Sequence, residues 1–170
     1  MRLARTIALV TMAGVIGGTS GGTAVAQENS ASPVQQVLFM CPHGAAKSVL
    51  ASAHFERLAK ERGLNVRVLS AGTEPDAAIA PPVAALLERE GYAPRTAPPR
   101  KATPDDMAKA DLVISLGCDL SGLPTPRGRL LQWDDVPSPS ADLTKADEAI
   151  RAKVNALIDE LVRQEVSKRR

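Results

Sequence analysis

The chain has 170 residues, 44% of them hydrophobic and 24% charged, with a net charge of +2. That is enough for one domain with a real core and too little for two. Aromatic residues make up only 2%, so the core must rest on Val, Leu, Ile and Ala, and no basic run interleaved with aromatics offers a nucleic-acid surface.

The two cysteines, Cys41 and Cys118, are too few for a disulfide scaffold and fit no zinc spacing. His43 and His54 lie near Cys41, but no second cysteine or acidic cluster completes a ligand set. No metal site is expected and no cofactor is called for.

The N-terminus reads as an address. Residues 1–5 are basic, 6–16 are apolar, and small residues lead to Ala24-Val25-Ala26. This is the pattern of a secretory signal peptide over 1–26, cut after Ala26. The apolar run is shorter than the about 20 residues a bilayer span needs, although an uncleaved anchor is the alternative. No cysteine marks a lipoprotein. The expectation is an exported protein, in a bacterial periplasm or secreted, with no stable membrane anchor after cleavage. Arg2 and Arg5 supply the charge excess, so the mature chain is near neutral. Residues 27–33 form a polar leader into a domain over 34–166.

Residues 34–40 read as the first strand. A helix over 46–62 follows, with Phe55, Leu58 and Ala59 at helical spacing and Leu50 earlier, and Gly63 as C-cap. Residues 66–69 form a second strand and Ser70-Ala71-Gly72-Thr73 its exit loop. Prolines open a short helix with Val83, Leu86 and Leu87 on one face, which Gly91 stops. Thr103-Pro104-Asp105-Asp106 is a helix start, with its helix ending near 109. Residues 112–116 are a third strand, apolar enough for the middle of a parallel sheet. Residues 129–133 are a fourth, and 134–140 a functional-looking loop. The last helix, 143–166, buries Ile150, Val154, Leu157, Ile158, Leu161 and Val162; the basic end at Lys168-Arg169-Arg170 complements its dipole.

Strands alternating with helices imply a parallel sheet with right-handed crossovers. Ligands of such sheets bind outside the carboxyl ends of the strands. Cys41, Ser70, Cys118 and Asp134/Asp135 all follow strand ends and are expected on one rim.

The stretch Val37-Leu38-Phe39-Met40-Cys41-Pro42-His43-Gly44-Ala45-Ala46-Lys47-Ser48 carries the chemistry. It is a strand, a tight loop and a helix start, where unpartnered amides make an anion site. Cys41 faces that positive field, which favours its thiolate and makes it a nucleophile candidate. Cysteine, five residues, a cation and a serine are the parts phosphoryl transfer needs. The thiolate attacks in line, Pro42, His43, Gly44, Ala45, Ala46 and Lys47 surround the equatorial oxygens, and the Ser48 hydroxyl stabilises the leaving sulfur.

On these residues, on Ser70-Ala71-Gly72-Thr73, on 82–91 and on 110–118, the chain resembles the low-molecular-weight protein tyrosine phosphatases and their sister thiol-dependent arsenate reductases. The Cys-x-His-x-Ala pattern of the loop is closer to the reductase branch. The resemblance implies an α/β single-domain, three-layer sandwich with a four-stranded parallel sheet in order 2-1-3-4 and helices on both faces.

The departures are specific. Lys47 stands where the family has arginine, keeping the charge but losing the bidentate fork. Gly44 replaces a common asparagine, a mild change, and Pro42 removes an N–H donor. The family's general acid is an aspartate before a proline after the fourth strand. Here Ser138-Pro139 occupies what resembles that place, and Asp135 is taken as the acid with Asp134 as the alternative. By the same resemblance Cys118 matches the first resolving cysteine of the reductases. Its other reading is a small buried residue at a strand end. A further cysteine is absent, so an external thiol reductant would have to complete a reductive cycle. His43 is read as a supporting donor in the loop, His54 as a helix-surface residue and Trp133 as rim packing.

The leading expectation is an exported cysteine-dependent phosphatase acting on phosphomonoesters or phosphotyrosine. Arsenate reduction with external thiols and a non-catalytic oxyanion- or phosphoprotein-binding role are the alternatives. Specificity is expected in 115–128 and 134–140. In an oxidising compartment Cys41 and Cys118 could pair if their Cα atoms lie within about 7 Å.

Overall fold

The computed structural model describes residues 35–168 and Arg170. The expected signal peptide, the polar leader and Val34 lie outside these residues.

Eight elements follow in order: β1 (Gln35–Cys41), α1 (Lys47–Glu61), β2 (Val66–Gly72), α2 (Pro81–Arg89), α3 (Pro104–Lys109), β3 (Leu112–Ser115), β4 (Arg129–Gln132) and α4 (Leu143–Lys168). The strands form one sheet in the order β2-β1-β3-β4, and every pairing is parallel. This is the expected α/β sandwich.

Side-chain alternation along the strands assigns the two layers. Val37, Phe39 and Cys41 of β1 join Leu112 and Ile114 of β3 in the main core, against α1, α2 and α4. Leu38 and Met40 point the other way, with Val113, into a smaller core closed by Met107 and Ala110 at α3. The near-continuous apolar sequence of β1 and β3 is the consequence of covering both faces. β4 is the sheet edge and is largely exposed.

The α3 start is a full capping box: Thr103 accepts from the Asp106 amide and Asp106 accepts from the Thr103 amide. Arg100 adds two hydrogen bonds to the Asp106 carboxylate, at 2.7 and 2.9 Å. Gly63 and Gly91 end their helices with positive φ, 68° and 73°.

Three expectations change. β2 runs on to Gly72, because Ser70-Ala71-Gly72 keeps pairing with Phe39-Met40-Cys41; Ser70 stays inside the strand, and Gly72 is the residue beside Cys41. Trp133 is buried against Phe39, ring centroids 6.0 Å apart, and belongs to the main core together with Val136 of the loop that follows it. His54 is buried. Its Nε2 lies 2.6 Å from Asp147 Oδ1 on α4 and its Nδ1 2.5 Å from the Tyr92 hydroxyl. α4 packs on α1 along this side, so a face that reads as solvent is an interhelix contact.

Candidate active site

Cys41 is the last residue of β1, and the chain must turn at once to reach α1 six residues later. Gly44 makes that turn at φ 60°. A Cβ there would stand 2.9 Å from the Gly72 amide nitrogen, and a Cβ on Gly72 would stand 2.6 Å from the Gly44 nitrogen and 2.8 Å from the Pro42 oxygen. Two glycines therefore let the loop and the end of β2 meet backbone to backbone. The 100–102 segment fixes Gly72 from outside: its amide donates to Arg100 O at 2.9 Å and its carbonyl accepts from Ala102 N at 2.8 Å.

The loop carbonyls are held from outside by the segment after β2. Glu74 N donates to Pro42 O at 2.9 Å, Asp76 N to His43 O at 3.0 Å and Ala80 N to Ala45 O at 3.0 Å. The His43, Ala45 and Ala46 amides, by contrast, donate to no acceptor among the described residues. Together with the Lys47 amide at the start of α1, they form a cradle for an anion.

Cys41 Sγ lies at the floor. Ser48 Oγ is 3.1 Å away and the Ser48 amide donates to the sulfur at 3.5 Å. These are the donors a sulfur needs when it departs as an anion. Lys47 lines the same cavity, and its Nζ donates to the Val136 carbonyl at 3.1 Å.

The cavity above Cys41 measures about 510 Å³. Its loop side carries Pro42, His43, Ala45, Ala46 and Lys47. Asp76, Ala80, Pro82 and Val83 close one wall; Ser138, Pro139, Ser140 and Leu143 close the other. Asp134 and Asp135 are not among its lining residues. Asp135 Oδ2 instead pairs with Lys153 Nζ on α4 at 2.9 Å, with the side chain 71% exposed. That ammonium holds its carboxyl below the usual carboxylate range. The cause is local. Val136 is buried and its carbonyl is held by Lys47, which leaves the preceding side chain to face α4. The expected acid is thus placed outside the cavity, and serines occupy the loop's inner side.

Cys118 follows β3, half-buried, and packs against the Leu38 and Met40 layer, whereas Cys41 belongs to the opposite core. Both are free thiols. Burial pushes the Cys118 thiol up to about 11, against lowering hydrogen bonds from Ser115 and Leu116. Of the four positions expected on one rim, Cys41 alone lines the cavity; Ser70 faces a separate groove beside Arg95 and Arg100.

Sequence reasoning did not mark Gly72 as a contact residue or Asp76 as part of the site. Gly72 carried a signal in the Ser70-Ala71-Gly72-Thr73 run. Asp76 carried none, sitting in an irregular loop without periodicity.

A parallel sheet that ends in a cysteine under a cradle of backbone amides defines the class of cysteine-dependent phosphatases and arsenate reductases. The low molecular weight phosphotyrosine protein phosphatase family model matches residues 36–122, and the chain belongs to that family. The match ends before β4 and the loop holding Asp134 and Asp135.

A thioredoxin-dependent arsenate reductase of Corynebacterium glutamicum is similar at 32% identity and a TM-score of 0.67, over 79% of this chain and 65% of that one. The chain thus spans just under two thirds of that protein's length. An arsenate reductase of Archaeoglobus fulgidus is similar at 27% identity and a TM-score of 0.53, covering 74% of this chain and 98% of the other. A low molecular weight phosphotyrosine phosphatase of Vibrio cholerae shares the fold at 21% identity and a TM-score of 0.61, over 76% and 98% of the two chains.

Proposed function

We propose that this protein is an exported cysteine-dependent phosphatase that hydrolyses phosphomonoesters through a phosphocysteine at Cys41. The observation that carries the reading is the pairing of Cys41 Sγ with Ser48 beneath a loop whose Pro42, His43 and Ala45 carbonyls are held from outside. Amides so oriented bind the equatorial oxygens, where charge is spread in the transition state. The Ser48 hydroxyl then assists sulfur as the leaving group when water attacks. The cavity of about 510 Å³ has room for an organic group beyond the phosphoryl itself.

The test is hydrolysis of aryl phosphates by the reduced protein across pH 5–7, wild type against Cys41→Ser. Turnover in wild type that vanishes in Cys41→Ser, with inorganic phosphate still bound, supports the reading. No turnover in either form removes it.

Arsenate reduction with an external thiol is the second reading, favoured by Cys118 at the end of β3 and by the likeness to the Corynebacterium enzyme. Arsenate offered with thioredoxin or a small thiol should yield arsenite if it holds. A Cys118→Ser comparison reports whether that cysteine takes part.

Export rests on residues 1–26 of the sequence. N-terminal sequencing of protein recovered from its native host reads Gln27 if the leader is cleaved as proposed, and Met1 or Arg2 if it is not.

A further inference from the structure

The leaving oxygen of a phosphate monoester needs a proton, and the loop after β4 brings no carboxylate to the cavity. Four lining residues can exchange protons: Cys41, His43, Lys47 and Asp76. Cys41 is the nucleophile. Lys47 is a cation committed in part to Val136 O. We infer that His43 and Asp76 form the proton-transfer pair of this site, with His43 as the general acid and Asp76 as the residue that positions it. The inference rests on the phosphatase reading above.

His43 Nδ1 lies 3.3 Å from Asp76 Oδ1. The same two residues are joined through their backbones, with Asp76 N donating to His43 O at 3.0 Å. Two-point attachment fixes the imidazole relative to the loop that holds the phosphoryl group. The bonds from Glu74 to Pro42 and from Ala80 to Ala45 hold the segment on either side. The side chains remain 64% and 55% exposed, and His43 Nε2 has no partner among the described residues. His43 lines the cavity; one ring nitrogen is oriented by a carboxylate and the other is unengaged, the arrangement a histidine needs to pass a proton.

The steps balance. The Cys41 thiolate bonds to phosphorus while the bond from phosphorus to the ester oxygen breaks. That oxygen takes the proton from His43 Nε2 and departs as the alcohol. Water then attacks phosphorus, gives a proton to the now neutral Nε2, and the phosphorus–sulfur bond breaks to return the thiolate.

A general acid matters most where the leaving group is poor. The experiment compares full-length wild type, His43→Gln, Asp76→Asn and Asp135→Asn on phenyl phosphate and 2,4-dinitrophenyl phosphate, with inhibition by inorganic phosphate as a check on the loop. His43→Gln should lose about 10²-fold or more in kcat/KM, which reports the step that expels the leaving group, on phenyl phosphate and less than about tenfold on the dinitrophenyl ester. Asp76→Asn should show the same skew, smaller, at about tenfold on phenyl phosphate. Phosphate inhibition should stay within about threefold in both, since neither variant removes a loop amide. Equal losses on both substrates would make the pair a structural clamp and overturn the inference. So would the skew appearing in Asp135→Asn. A wild type that hydrolyses neither ester removes the phosphatase reading and this inference with it; an active wild type without the skew in His43→Gln removes the inference alone.

Discussion

Lys47 Nζ donates to the Val136 carbonyl oxygen at 3.1 Å, joining the start of α1 to the loop after β4. An ammonium has three hydrogens, so this bond leaves two for an anion. They cannot match two oxygens of one phosphoryl group as a planar guanidinium does. Lys47→Arg is expected to strengthen competitive inhibition by inorganic phosphate by roughly tenfold, the effect of about 1.4 kcal/mol from one added charge-assisted hydrogen bond. Unchanged inhibition would mean that the fork has no room beside Val136. Lys47→Met should weaken it by a comparable factor.

The contact between Gly44 and Gly72 sets the shape of the cradle. Gly72→Ala places a methyl 2.6 Å from one backbone atom and 2.8 Å from another, neither of which can swing away. It is expected to cost about 1–3 kcal/mol in denaturant unfolding, in line with overpacking, and to abolish phosphate binding. Gly63→Ala is the comparison: its Cβ meets nothing within 4 Å, so only the left-handed backbone opposes it, at about 1 kcal/mol. Phosphate binding should survive that change.

Cys118 bears on the reductive reading. Its thiol is pushed up to about 11, so at pH 7 about one molecule in 10⁴ carries the thiolate. In Cys41→Ser protein, where it is the remaining thiol, iodoacetamide labelling should be slow at pH 8 and rise steeply towards pH 11. Labelling at the rate of a free cysteine at pH 8 would contradict the burial seen here.

Asp147 is buried between His54 and Arg151, at 2.6 and 2.7 Å, and Arg151 also pairs with Glu90. Burial raises its carboxyl, but the hydrogen bonds from His54 and Arg151 outweigh that and hold it below the usual range. A carboxyl lowered in the folded state contributes stability above its unfolded value of about 3.9 and loses it as pH falls through the folded one. Asp147→Asn should therefore lower Tm most at neutral pH, by the equivalent of about 1.5–3 kcal/mol for the lost charge-assisted hydrogen bonds, since Arg151 keeps Glu90 as a partner. The gap to wild type should narrow below about pH 4.

Much of the architecture was legible in the chain. Val37-Leu38-Phe39-Met40 and Leu112-Val113-Ile114 are apolar on both faces because both faces are covered. Thr103-Pro104-Asp105-Asp106 carries its helix start in local hydrogen bonds. Cys41 through Ser48 holds the cradle because turn, cysteine and helix start are contiguous. Local chemistry suffices wherever the partners are near in sequence.

What the tertiary structure decided lies between distant segments. His54 became an interior residue because α4 brings Asp147 to it across 93 positions of chain. Gly72 became part of the site through strand register, which no local pattern records. Asp135 turned to Lys153 because Val136 is buried and its carbonyl is held by Lys47. Asp76 reached His43 because its own amide is anchored to the loop. The sequence by itself determined the fold and the place of Cys41 at the end of its first strand. The surroundings of the leaving oxygen depended on which loops meet over the cavity, a matter of packing between segments that the chain order does not encode.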